Sequence, residues 1–426
     1  MKNLAVCLAT CGLIFASCSN NDVFEENNDI HSQDNINFSA NTTRASINHL
    51  DQVKGGFKVF ATENGNTSWY INGDTYKFEE GSWNWPFVSS QTEYKWPKDK
   101  TKYPMNFYAF YPQTADGFTP STNIVGTVTA NITIKSDPAT QTDYLAANYI
   151  NVTTKPASGK LNLMFKHITS KVNFSVIAGT GANVFVQQLH MQNVGNTGTY
   201  NYVSELTGNH AWSSSLTDGT LDKYKYFPTE VVPSTTTALP TFTPATADET
   251  TKNPVYGKSV TNRHLMLRPQ TATATWAGTK TDPAATANGK IEPTKAYIES
   301  VYRIEANGDE NAVGYQNAAK HPDFSTLTPE QQRDLTGKPL FIKVGFPLGA
   351  SLTWDQGKGY MYSLKLGTAD ATGGIIIDDN YYDEKGNRTD LTIKDKEPGD
   401  PVNDGNIHFN VDVTEWGNDL EGTITQ

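Results

Sequence analysis

The sequence predicts an all-β fold, and three observations carry that prediction. Tyr (20), Phe (19) and Trp (8) are plentiful while charged residues make up only 19 %, a balance that suits pleated, half-buried surfaces. Apolar residues recur in short runs with partial alternation, the period of a strand that lays one face on a core. Gly and Pro close most of these runs, as turns between short strands require. A net charge of −11 argues against a nucleic-acid partner and against an electrostatic hold on anionic lipid.

The first twenty residues set the compartment. Lys2 precedes an apolar run over residues 4–16, long enough for a secretory leader and too short to span a bilayer. The run ends in Phe15-Ala16-Ser17-Cys18. Small residues before a cysteine suit lipoprotein processing, in which the Cys18 thiol is acylated and residues 1–17 are removed. An ordinary secretory leader with a chance cysteine is the alternative. On the lipoprotein reading, acyl chains on Cys18 tie the chain to the outer membrane. Cys7 and Cys11 fall in the leader, so the mature chain has neither a disulfide nor a thiolate metal site. Residues 18–45 form an acidic tether, of which 19–43, without any Lys or Arg, are expected to be disordered. In Asn41-Thr42-Thr43-Arg44-Ala45-Ser46 the bond between Arg44 and Ala45 is open to a trypsin-like cut.

The strands then follow in order. Residues 57–61 alternate behind Gly55 and Gly56. Residues 69–78 are expected to fold as a hairpin turning at Asn72-Gly73-Asp74. Trp83-Asn84-Trp85-Pro86, Tyr94-Lys95-Trp96-Pro97 and residues 107–112 are aromatic strands stopped by proline, which cannot donate to the next ladder bond. Residues 125–134 are a β-branched run. Residues 161–165 and 172–176 are clean strands flanking 166–171, and a domain boundary is placed at 160. This gives an N-terminal sandwich over 46–160 and a C-terminal one over 161–426. Within the second, residues 205–335 read as a Thr/Pro-rich, loop-rich insertion. It holds a buried strand at 264–267 and one short helix, with Thr328 as N-cap, Pro329 first, 330–335 as body and Gly337 as stop. Strands return at 340–344, 360–366 and 407–413, with Trp416 just after.

No motif for catalysis is present, neither His-Glu-x-x-His nor Gly-x-Ser-x-Gly, so no enzyme, cofactor or metal is expected. His167, between two strong strands, reads as structural, and His408 as solvated on the outward face of the last strand. Asp378-Asp379-Asn380 with Asp383-Glu384 forms an acidic loop without EF-hand spacing, read as a solvated turn rather than a calcium site. Trp83, Trp85, Trp96 and Tyr108 alternate along strands and read as core rather than as a sugar platform.

Taken in order, the cysteine at 18, the Thr-Thr-Arg44-Ala junction, the Trp-Pro steps and Phe107-Tyr108-Ala109-Phe110-Tyr111-Pro112 make a pattern. Thr142-Asp143-Tyr144-Leu145-Ala146, residues 165–172 and Trp354 with Gly359-Tyr360-Met361-Tyr362 continue it. The pattern resembles the fimbrillin family, the lipoprotein-precursor subunits of Bacteroidales type V pili, over most of the chain outside 205–335. The resemblance implies two tandem transthyretin-like β-sandwich domains. It also implies export as a lipoprotein, a cut by an Arg-specific protease, and assembly with other pilus subunits by donor-strand insertion at the cell surface. Carried onto this chain, Arg44 is the cleavage site, and residues 36–40 and the region around Ile47 are the segments whose fate depends on it. Ten residues follow Trp416, so residues 420–424 or the strand from Ile407 are the segments available for donation. That and the insertion favour a tip or accessory subunit, with a host or bacterial surface ligand, over a stalk. The rival reading is a non-polymerising, glycan-binding surface lipoprotein, which would keep its tether uncut. A third, a β-sandwich hydrolase, would need clustered acids at the mouth of one sandwich.

Overall fold

The computed structural model describes residues 34–42, 55–78, 87–89, 92–114, 118–124, 127–178, 182–201, 212, 221–227, 241–242, 253–254, 265–272, 276, 278, 284–306, 314–315, 317–348, 352–366, 374–402 and 410–415. In the first half the strands are β1 (Asn37–Thr42), β2 (Phe57–Thr62), β3 (Ile71–Phe78), β4 (Phe87–Ser89), β5 (Met105–Tyr111), β6 (Phe118–Ile124), β7 (Thr127–Thr133), β8 (Leu145–Val152) and β9 (Lys160–His167). There follow β10 (Ser170–Ala178), β11 (Ala182–Gly195), β12 (Thr197–Asn201), β13 (Leu221–Phe227), β14 (Thr241–Phe242), β15 (Asn253–Pro254), β16 (Leu265–Leu267), β17 (Gln270–Ala272), β18 (Ala284–Ala287) and β19 (Lys290–Pro293). The last are β20 (Tyr297–Ala306), β21 (Ile342–Pro347), β22 (Leu352–Trp354), β23 (Lys358–Leu366), β24 (Ile375–Ile376), β25 (Asn380–Tyr382), β26 (Arg388–Thr392) and β27 (Asn410–Glu415). The chain is all-β, as its composition predicts.

β1-β4-β3-β2-β5-β8-β9 close into a barrel. β9 shows why the sequence does this: Leu161, Leu163 and Phe165 point inward and are buried, while Met164 on the other face is 40 % exposed. β2 and β5 differ, because both their faces are covered. Phe57, Val59, Ala61, Phe107 and Ala109 fill the barrel, whereas Phe60, Tyr108 and Phe110 join a second, larger core outside it. The unbroken aromatic run of β5 is thus the signature of two-sided burial rather than of one wet face.

That larger core continues into the second half without a break. A sheet of β15-β10-β23-β27, extended by β16 on β10, faces a six-stranded sheet of β13-β11-β20-β21-β24, with β14 also on β11. Phe174, Tyr362, Leu189, Ile298, Tyr302 and Phe346 meet between them, with Phe174 and Tyr362 stacked at 5.6 Å. β12 reaches back to pair with β7. A boundary at 160 therefore cuts through β9. The change of sheet comes between His167, which pairs with Leu145 in the barrel, and Ser170, which opens β10.

Three local expectations meet the structure differently. The short helix is Pro329–Leu335, with Thr328 capping and Gln331 completing a capping box, and Gly337 stops it at φ +70. Asn72-Gly73-Asp74, expected to be a hairpin turn, instead lies inside β3. Gly73 (φ +75) is the extra residue of a bulge opposite Val59 and Phe60, where a Cβ would stand 2.9 Å from the Phe60 ring. The region 205–335, expected to be loop-rich, contains β20, which lies between β11 and β21 in the six-stranded sheet. Glu299 and Arg303 break its apolar pattern, yet both are buried. Glu299 pairs with Lys343 at 3.3 Å, and the Arg303 guanidinium lies 3.9 Å from the Phe185 ring centre.

Burial pushes Tyr94 and Tyr360 up to about 12 and holds Tyr76, Tyr200, Tyr302 and Tyr362 higher still. In the unfolded chain these phenols ionise near pH 10, so above that pH the unfolded state binds fewer protons than the folded one and stability falls. The thermal midpoint should hold level up to about pH 10 and fall steadily between about 10 and 12. A midpoint unchanged at pH 12 would contradict this account of the tyrosines.

Candidate functional site

The feature that stands out in the barrel is its first strand. β1 runs parallel to β9 over six matched residues, from Asn37 opposite Lys160 to Thr42 opposite Phe165, and meets β4 antiparallel at Phe38 and Phe87. It thus fills the gap between two strands that do not otherwise pair. The chain just before it is bonded in as well. The Ile36 amide donates to the Tyr94 carbonyl at 2.7 Å, and the Trp96 amide donates to the Asp34 carbonyl at 2.8 Å. Lys155 reaches the Asp34 carboxylate at 3.0 Å and, as donor and neighbouring charge, holds it below the usual carboxylate range.

Alternation decides which side chains face inward. Ile36, Phe38 and Ala40 are buried in the barrel, while Ser39 turns out toward Asn162 at 3.4 Å. Phe38 is the anchor. Its ring sits edge-on to Tyr76 at 4.7 Å and to Phe107 at 5.8 Å, and it has no exposed surface. A fully buried Phe or Ile contributes roughly 1.5–3 kcal/mol, against roughly 0.5–1.5 kcal/mol net per hydrogen bond. Two side chains therefore hold β1 about as strongly as several ladder bonds. The expectation of a disordered tether through residue 43 fails over residues 34–42. The signal was present in Ile36-Asn37-Phe38-Ser39-Ala40, which alternates, but the acidic residues ahead of it dominate the composition.

Of the residues singled out by sequence, Cys18, Arg44 and Ala45 lie outside the described residues, as do Trp83, Trp85, His408 and residues 420–424. β1 ends at Thr42, two residues before Arg44. Trp96 is buried in the barrel, its indole N–H on the Gly159 carbonyl at 3.1 Å, and Tyr108 is core. His167 closes β9 through an Nδ1 contact to Asp143 at 2.9 Å. The acidic loop is a solvated turn only in its second part, around Glu384. Asp378 is 1 % exposed, and Arg388 Nε donates to both its oxygens at 2.8 and 3.1 Å. The Tyr382 hydroxyl donates to Asp378 at 2.6 Å, and Arg388 Nη2 reaches Asp379 at 2.9 Å.

A family model described as fimbrillin-like matches residues 43–379. No curated protein matches the chain. Among solved structures, the chain is similar to one provisionally described as a cell adhesion protein from Bacteroides uniformis, at 11 % identity over 91 % of this chain and 100 % of that one, TM-score 0.36. It is also similar to one provisionally described as polysaccharide-binding from Bacteroides thetaiotaomicron, at 8 % identity over 83 % and 98 %, TM-score 0.33. A fimbrial protein from Bacteroides ovatus matches at 13 % identity over 45 % and 40 %, TM-score 0.21.

If Phe38 anchors β1, Phe38→Ala should lower unfolding stability by about 3–5 kcal/mol, the usual range for a buried Phe truncation. Chemical denaturation measures it, and a loss of less than about 1 kcal/mol would show that β1 is held by its ladder alone.

Proposed function

The chain belongs to the fimbrillin-like family, and from that premise we propose that it is an adhesive fimbrial subunit of tip or accessory kind, assembled by strand exchange after a cut at Arg44. The observation that carries this is the position of β1. It lies inside a closed barrel, yet it precedes Arg44 in the chain. Before a cut, β1 is tethered to its own groove and no competing strand matches its effective concentration. After a cut, the β9 and β4 pairings, the bonds of residues 34–36 to Tyr94, Trp96 and Lys155 and three core side chains retain it without a covalent link, and it can leave by mass action.

The groove left behind has unpaired N–H and C=O groups along β9 and a hole where Phe38 sat. Both are costly, and a strand of alternating apolar residues from another subunit relieves both. Cys18 lies on the same side of Arg44 as β1. One cut thus frees the subunit from its lipid anchor and opens its acceptor groove together. The tip or accessory assignment is supported by the second half, where the β18–β19 and β25–β26 hairpins sit on the outside of the six-stranded sheet as bulk that a compactly repeating stalk has no need of.

Arg44→Ala should leave a larger, membrane-held precursor that does not enter fibres, as read by immunoblot of sheared surface material; normal assembly by this variant would sink the cleavage step. Cys18→Ala should abolish metabolic labelling with palmitate and shift the protein out of the detergent phase. Continued labelling would place the anchor elsewhere.

A further inference from the structure

The outer face of the six-stranded sheet is covered by two hairpins, which touch where Arg388 at the start of β26 donates to the Asn288 carbonyl in the β18–β19 turn. β18–β19 closes a small apolar cluster of Ile291 with Trp276, Tyr297, Ile375 and Ile377. β25–β26 closes another, in which Tyr382 packs on Val301 and Phe341. Between β19 and the strands β11, β20 and β21 lies a cavity of about 600 Å³, within the range of small-molecule sites. Its floor is polar. Glu299, with its side chain 4 % exposed, is 3.3 Å from Lys343 and 3.4 Å from His190 Nδ1. The Tyr297 hydroxyl donates to it at 3.4 Å. The walls are firm. Asn193 donates to the carbonyls of Pro293 and Lys295, the Ile291 amide donates to the Ile377 carbonyl at 2.8 Å, and Arg388 Nη2 holds the Asn288 carbonyl at 3.1 Å.

Stability does not account for this floor. Burying a carboxylate and an ammonium costs several kcal/mol per ion, and apolar residues of similar volume in their place are often neutral or stabilising. The apolar clusters on either side show that this sheet face accepts such residues. The two buried carboxylates of the lining each have a cationic partner, Lys343 on Glu299 and Arg388, from outside the lining, on Asp378, and Lys290 and Glu292 add one charge of each sign at the rim. What remains is a dense set of donors and acceptors beside the apolar surfaces of Tyr297, Ile377 and Pro293. We infer that this cavity binds a short neutral saccharide, whose hydroxyls both donate and accept and whose C–H faces lie on apolar side chains. The inference gives a ligand class to the adhesive part of the function proposed above and rests on that part alone. Strand exchange at β1 could fail without touching it.

The test uses the purified, unassembled full chain on an array of neutral and acidic glycans, followed by titration calorimetry with the best neutral one. The expected result is retention of at least one neutral glycan. The double variant Lys290→Ala/Glu292→Ala, which changes two rim residues, should bind it about tenfold or more weakly at an unchanged thermal midpoint. Lys320→Ala, away from the cavity, should bind like the parent. Retention of no neutral glycan, equal binding by the double variant, or retention of sulfated and sialylated glycans only would each overturn the inference. None of these outcomes bears on cleavage at Arg44, which is read separately from precursor size.

Discussion

A sheet closed into a barrel has no free edge, and in this protein closure depends on a strand that precedes the predicted cleavage site. β1 completes the ladder between β4 and β9 and supplies Phe38 to the centre of the core. Every other barrel strand follows Gly55 in the chain. The N-terminal barrel is therefore complete as a fold but divisible as a covalent object. That combination suits a subunit that must be stable during export and open afterwards.

The wall of the barrel away from β1 is shared with the rest of the molecule. β2, β5 and β8 send alternate residues into two cores, Phe107 and Ala147 inward, Phe110 and Ala146 outward. The outward set is continuous with the core between the two large sheets. The side chains of β1 belong to the inner core, and the second core is built without them. The cavity on the far face of the six-stranded sheet is likewise built from β11, β20, β21, β19 and the Ile377-Asp378 segment, and none of its lining comes from β1.

What was legible in the sequence was what local chemistry decides. The Thr328 cap, Pro329 and Gly337 wrote the helix, and the alternation of residues 161–165 wrote β9. What was not legible depended on partners far away in the chain. Gly73 could serve a turn or a bulge, and the Phe60 ring beneath it decides for the bulge. Glu299 and Arg303 made β20 look like loop, because His190, 109 residues away, and the rings of Phe185 and Phe341 are invisible to a local pattern. Asp378 looked solvated until Arg388 was seen to take both its oxygens. At the candidate site the division is sharper. Cys18 and Arg44 are sequence-level expectations outside the described residues, whereas the importance of Phe38 emerges only from the barrel that surrounds it.

The central claim is that the surface form of this protein has lost everything up to Arg44, β1 included. N-terminal sequencing of the protein recovered from the outer surface of cells tests it most directly. The account predicts a free amino terminus at Ala45. A blocked, acylated terminus at Cys18 would contradict it, and would mean that β1 stays in its own barrel and the groove never opens.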